Sequence, residues 1–98
     1  RVMKTLGPLG GMVVAHCEAN HLIEEQQAVQ AAAGRISAAH HHETRTELAE
    51  DASVAEVLAI AEALGTPVYF VHQSTAAAVD QVVAPRFQAW LLRSPDAL

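Results

Sequence analysis

The stretch MVVAHCEAN, residues 12–20, ends an apolar run on a histidine, His16. Four apolar residues, two of them valines, read as a short buried strand over residues 12–16. A second stretch, TPVYFVHQST at residues 66–75, is built the same way, with a strand over 68–72 that ends on His72. Two helical patterns lie between them. Residues 18–33 place Leu22, Ile23, Val29 and Ala33 on one side, and Gly34 stands where a helix stops. Residues 48–64 bring Val54, Val57, Leu58, Ala61 and Leu64 together at helical spacing. Glu50, Asp51, Glu56 and Glu62 fall mostly off that face, and the early acids suit the positive end of the helix dipole. Gly65 ends this helix and Pro67 opens the second strand. A third helix is expected over 75–83, with Ser74 or Thr75 as its N-cap.

Strand, helix, connection, helix, strand, helix is the order of a parallel α/β sheet with right-handed crossovers. Strands of such a sheet are covered on both faces, which accounts for their unbroken apolar runs. Residues 1–11, with three glycines and a proline, read as a loop, and residues 35–47 as a polar connection with room for a helical turn. The tail, 85–98, carries the single tryptophan and reads as one helical stretch with a frayed end.

With 98 residues the chain makes one small domain. An apolar fraction of 51% argues against disorder, but with only 4% aromatic residues and abundant alanine the expected core is thin. The formal net charge is −5 and the Lys and Arg residues are scattered, which argues against nucleic-acid or anionic-membrane binding. No run approaches the ~18 apolar residues that span a bilayer, and no signal-peptide apolar region is visible near the start. The lone Cys17 excludes an internal disulfide and fits a cytoplasmic setting. A start on Arg rather than Met reads as a piece of something longer.

Ligand sites of α/β sheets lie at the carboxyl ends of the strands, where His16 and His72 are placed. Two imidazoles converging there are a natural pair of ligands for zinc or a similar metal. Two hydrogen-bonded histidines at strand–loop junctions fit the pattern equally well. A shared ion demands imidazoles within ~8 Å of each other and on one side of the sheet, because Zn–N bonds are only ~2.0–2.1 Å. Cys17 adjoins His16, but neighbouring side chains of an extended segment point to opposite faces. Glu18 reads first as a first-turn helix residue, with orientation of His16 as its second reading. Ser74 reads as a cap before it reads as a substrate contact. His40, His41 and His42 read as a solvated loop, and His21 as a helix-surface residue.

Taken in order, VVAHCEAN, the turn Gly65-Thr66-Pro67 and PVYFVHQST resemble the cyclic amidohydrolases, the family of dihydropyrimidinase, hydantoinase and allantoinase. That family ends one strand on His-Ala-Glu and a later one on Val-His-x-Ser, at a spacing close to the 56 residues between His16 and His72. Its His-x-x-Ser-Arg-Pro stretch is similar to His42-Glu43-Thr44-Arg45-Thr46, followed here by Glu50. The resemblance covers residues 11–83, leaves 84–98 as an atypical tail, and makes 1–98 a fragment of one barrel domain. It implies a partial (β/α)8 TIM barrel with about two of its eight parallel strands, since a whole barrel needs ~250 residues.

The resemblance further implies that His16 and His72 hold one metal of a binuclear divalent centre, zinc foremost, at the ends of the fifth and sixth strands. Glu18 and Ser74 become candidates for orienting a ligand or touching substrate. The implied substrate is a small cyclic amide or ureide, such as a dihydropyrimidine or hydantoin ring, whose C–N bond is hydrolysed. The metals supply the nucleophile, polarise the carbonyl and stabilise the oxyanion. A homo-oligomeric full-length parent is implied as well. Cys17 and Thr46 depart from the family's alanine and proline, and no His-x-His motif, bridging lysine or late strand-end aspartate is recognisable. No catalytic residue is therefore assigned, and the isolated chain is expected to be inactive. Two alternatives stand beside this reading. One is a non-catalytic scaffold of the same fold, a class that tends to lose the metal histidines. The other is a small metal-binding or interaction module, against which the thin core and unpaired strands count.

Overall fold

A computed structural model describes residues 1–84. Two strands, β1 (Val13–Ala15) and β2 (Val68–Phe70), pair in parallel, with Val13 opposite Val68, Val14 opposite Tyr69 and Ala15 opposite Phe70. The backbone bonds Val13 N–H to Pro67 O (3.1 Å) and Val71 N–H to Ala15 O (3.2 Å) extend the ladder at either end. Each strand is shorter than its apolar run. His16 sits one residue beyond β1 and His72 two beyond β2, so both histidines belong to the turns that leave the sheet.

Five helices accompany the strands: α1 (Val2–Leu6), α2 (Asn20–Ala32), α3 (His41–Thr44), α4 (Glu47–Leu64) and α5 (Ala76–Val82). Helix α1 corrects the expectation of a loop over residues 1–11. Every glycine and proline of that segment lies beyond Leu6, so nothing opposes a helix before them. The buried Thr66 hydroxyl then fastens α1 by donating to Met3 O at 2.8 Å. Helix α4 runs as its periodicity predicts. Thr46 caps its start by accepting Ala49 N–H, and Gly65, at φ +64°, ends it in a left-handed conformation that glycine adopts without strain. Thr75, not Ser74, caps α5, accepting Ala78 N–H at 3.0 Å. The connection 35–47 contains a 3₁₀ turn, Ala38–His40, running into α3.

The core forms where α4 and α5 meet the sheet. Cys17, Val54, Leu58 and Ala78 are buried together, with Ala15, Val57, Phe70 and Val82 packed against them. Val14 and Tyr69, on the opposite face, are 65% and 59% exposed, so the expectation of burial on both faces is corrected. Alternate strand residues point to opposite sides, and in this chain the helices α4 and α5 cover the side of Ala15 and Phe70. On α2 only Ile23 is buried; Val29 and Ala33, expected inside, are exposed. The described residues contain no helix long and apolar enough to cross a membrane. The helical stretch and frayed end expected over the tail, 85–98, lie outside the described residues.

Candidate metal centre

Parallel pairing brings the two strand exits side by side, and with them the two histidines. His16 Nδ1 faces His72 Nε2 at 2.5 Å, and the ring centroids lie 4.5 Å apart with the planes inclined at 65°. The proximity required for a shared ion is met. Two nitrogen lone pairs cannot oppose each other at this distance. One ring has to donate its N–H to the lone pair of the other, or both lone pairs have to face one metal ion. Two ligands at ~2.0–2.1 Å from one tetrahedral ion would stand about 3.3 Å apart, so the rings need to part by less than ~1 Å. His16, with its side chain 62% exposed, has that freedom.

Glu18 places its charge beside the same ring. The carboxylate Oε1 lies 3.3 Å from His16 Nε2, a charge contact without hydrogen-bond geometry. In the neutral ring this negative charge favours a proton on Nε2, the tautomer whose Nδ1 lone pair faces His72. Helix α2 begins at Asn20 with Ala19 as its N-cap, so Glu18 precedes the helix; the reading of Glu18 as a first-turn helix residue is corrected. The side chain is free to turn back onto His16 because it is not committed to the helix end.

His72 carries a second mark. Its φ of +39° is the one positive value at a non-glycine residue among the described residues. Such a backbone costs roughly 1–3 kcal/mol and persists only where its surroundings enforce it. Glu50 engages the two residues that follow Gln73. Its carboxylate Oε1 accepts Ser74 N–H (2.7 Å) and Thr75 N–H (3.1 Å), and Oε2 accepts the Ser74 hydroxyl (2.5 Å). Asp51 accepts the hydroxyl of Thr75. Burial pushes the Glu50 carboxyl up, but the bonds from Ser74 and Thr75, with His72 adding its field, outweigh it and hold the group below the ordinary range.

The periodicity placed Glu50 off the apolar face, whereas it is 7% exposed. The signal was present all the same. The stripe Ala61, Leu58, Val54, followed back one more turn, lands on residue 50.

Cys17 points away from the histidines into the core. Burial pushes its thiol up, a hydrogen bond with Ser53 lowers it, and the charge of Glu50 raises it further, leaving a protonated thiol rather than a metal ligand. His40 and His41 are engaged locally. His40 Nδ1 lies 3.3 Å from Glu43 Oε1, and Arg45 Nη1 donates to His41 Nδ1 at 3.4 Å. The His40 contact, ahead of a small opposing effect of burial, holds the Glu43 carboxyl low. His41, His42 and Arg45 also border a cleft of about 370 Å³ whose other walls include Glu18, Glu50, His72 and Ser74. Among the described residues no group of three or more His, Cys, Asp and Glu side chains gathers as a metal cage.

A helical segment between two parallel strands, with a histidine at each strand exit, is the arrangement to compare with solved proteins. D-hydantoinase from Bacillus sp. AR9 superposes with a TM-score of 0.84 at 26% identity, over 91% of this chain and 19% of that one. This chain resembles part of a cyclic amidohydrolase. D-hydantoinase (dihydropyrimidinase) from Thermus sp. matches with a TM-score of 0.79 at 27% identity, over 95% of this chain and 19% of that one. No family model and no curated protein matches the chain. The hydantoinase-like chain thus spans about a fifth of the length of the structures it resembles, and its two parallel strands and helices correspond to a partial TIM barrel.

Proposed function

We propose that this chain carries one metal-ligand pair of a cyclic amidohydrolase, with His16 Nδ1 and His72 Nε2 as the donors to a single divalent ion, zinc foremost. The observation that carries the reading is the convergence of these two nitrogens at 2.5 Å across parallel strand exits. Glu18 supports it by placing a negative charge 3.3 Å from the outer nitrogen of His16, which favours a proton there. A divalent ion held by the pair would polarise a ring carbonyl and stabilise the charge that develops on its oxygen. His16 and His72 would supply the donors, and Glu18 would favour the tautomer that frees His16 Nδ1. The cleft beside His72 admits a small ring whose polar edge meets Ser74 and Arg45. The substrate class is a cyclic amide or ureide, as the names of the similar proteins support.

Zinc titration of the 98-residue chain, followed through the imidazole 15N resonances, tests the pair. His16 and His72 are expected to respond together at one equivalent of zinc, and His16→Ala or His72→Ala to weaken binding at least tenfold. Unchanged affinity in either variant overturns the assignment and leaves a hydrogen bond between the two rings.

A further inference from the structure

We infer that Glu50 is a positioning residue, whose buried carboxylate clamps the turn after β2 and thereby holds His72 against His16. The inference rests on the metal-pair reading for its consequence but on backbone geometry for its content. The turn is anchored at two places. At one end Val71 N–H is bonded to Ala15 O, the last rung of the sheet. At the other end Ser74 N–H, the Ser74 hydroxyl and Thr75 N–H all converge on Glu50. Only His72 and Gln73 lie between the anchors, and Gln73 spends its side-chain amide on Val71 O at 2.9 Å. Two residues bridging two fixed points have little conformational choice, and the left-handed φ of His72 is what that closure demands.

The same first turn of α4 also holds the other histidine's turn. Ala49 O accepts Ala19 N–H at 2.9 Å, three residues after His16. Adjacent residues of one helix thus brace both strand exits, Ala49 through its carbonyl and Glu50 through its side chain. The carboxylate is 7% exposed and meets three donors, so it is committed to the turn rather than free to bind a ligand. A glutamine would keep these contacts as weaker neutral bonds, its carbonyl accepting the two backbone N–H groups and its amide donating to the Ser74 hydroxyl oxygen, whereas an alanine leaves all three donors without an acceptor.

The test compares Glu50→Ala with Val54→Ala in the 98-residue chain. Val54→Ala destabilises the same helix without touching the turn. Two readouts are taken well below each variant's unfolding temperature. One is the NOE between the His16 and His72 ring protons, which needs no metal, and the other is zinc affinity. Glu50→Ala is expected to lose the ring–ring NOE and to weaken zinc binding about tenfold, the scale on which residues that orient metal ligands act. Val54→Ala is expected to retain both. Retention of the NOE in Glu50→Ala, or its loss in both variants, overturns the inference. A wild-type chain that shows the NOE but no zinc response at the two histidines defeats the metal-pair reading alone, and the NOE comparison still decides the role of Glu50.

Discussion

A short contact between two imidazoles is informative because the facing nitrogens have to be a donor and an acceptor or share one ion, and because the residues around them have partners of their own. Glu18 claims the outer nitrogen of His16, and Glu50 claims the turn that carries His72. Glu50 also makes the fold sensitive to acid. Its folded-state value lies below the ordinary 4.5, so the carboxylate contributes stability that is fully present above about pH 4.5 and is lost as pH falls through the folded value. Urea unfolding of the wild type and of Glu50→Gln is expected to differ most at neutral pH and to converge in acid. A gap that widens below pH 4.5 contradicts this account. His16 and His72 were legible as a pair from their matching places after two apolar runs. The roles of Glu18 and Glu50 were not, because each partner lies across a turn or 24 to 25 residues away and no local period reports such a contact.

At the scale of elements, α4 organises the molecule. It buries Val54, Leu58 and Ala61, contributes more of the core than any other element described and braces both strand exits from its first turn. Its limits were readable because Thr46, Gly65 and the apolar stripe are local signals. Helix α1 is held differently. A Cβ added at Gly7 would lie 2.5 Å from the Thr66 hydroxyl oxygen, which is fully buried and bonded to Met3 O. Gly7→Ala is therefore expected to cost about 1–3 kcal/mol through forced displacement of packed atoms. At roughly 4–8 °C per kcal/mol for a domain of up to ~100 residues, thermal unfolding followed by circular dichroism should shift down by several degrees. An unchanged midpoint means that α1 is not seated on Thr66. The loop reading of residues 1–11 erred because it weighed the glycines of the whole segment, when all of them follow the helix.

For the whole molecule, two parallel strands leave one sheet face open, with Val14 and Tyr69 largely exposed. The chain matches D-hydantoinases over about a fifth of their length. Among its described residues it offers one histidine pair without a wider cage. The zinc-loaded chain is accordingly expected to open neither hydantoin nor dihydrouracil faster than zinc alone, measured by loss of ring absorbance. Turnover that disappears in His16→Ala would show a more complete site than the two histidines describe. The amino-acid order by itself determined the alternation of strands and helices, the long helix with its caps, and the placing of a histidine after each apolar run. These are properties of periodicity and of residues adjacent in the chain, which act before any tertiary contact forms. Only the tertiary structure decided that the two imidazoles meet, that Glu18 turns back onto one of them, that Glu50 is buried beneath the other and that one sheet face stays open. Each of these depends on closing contacts between segments distant in sequence, where packing and buried hydrogen bonds outweigh local preference.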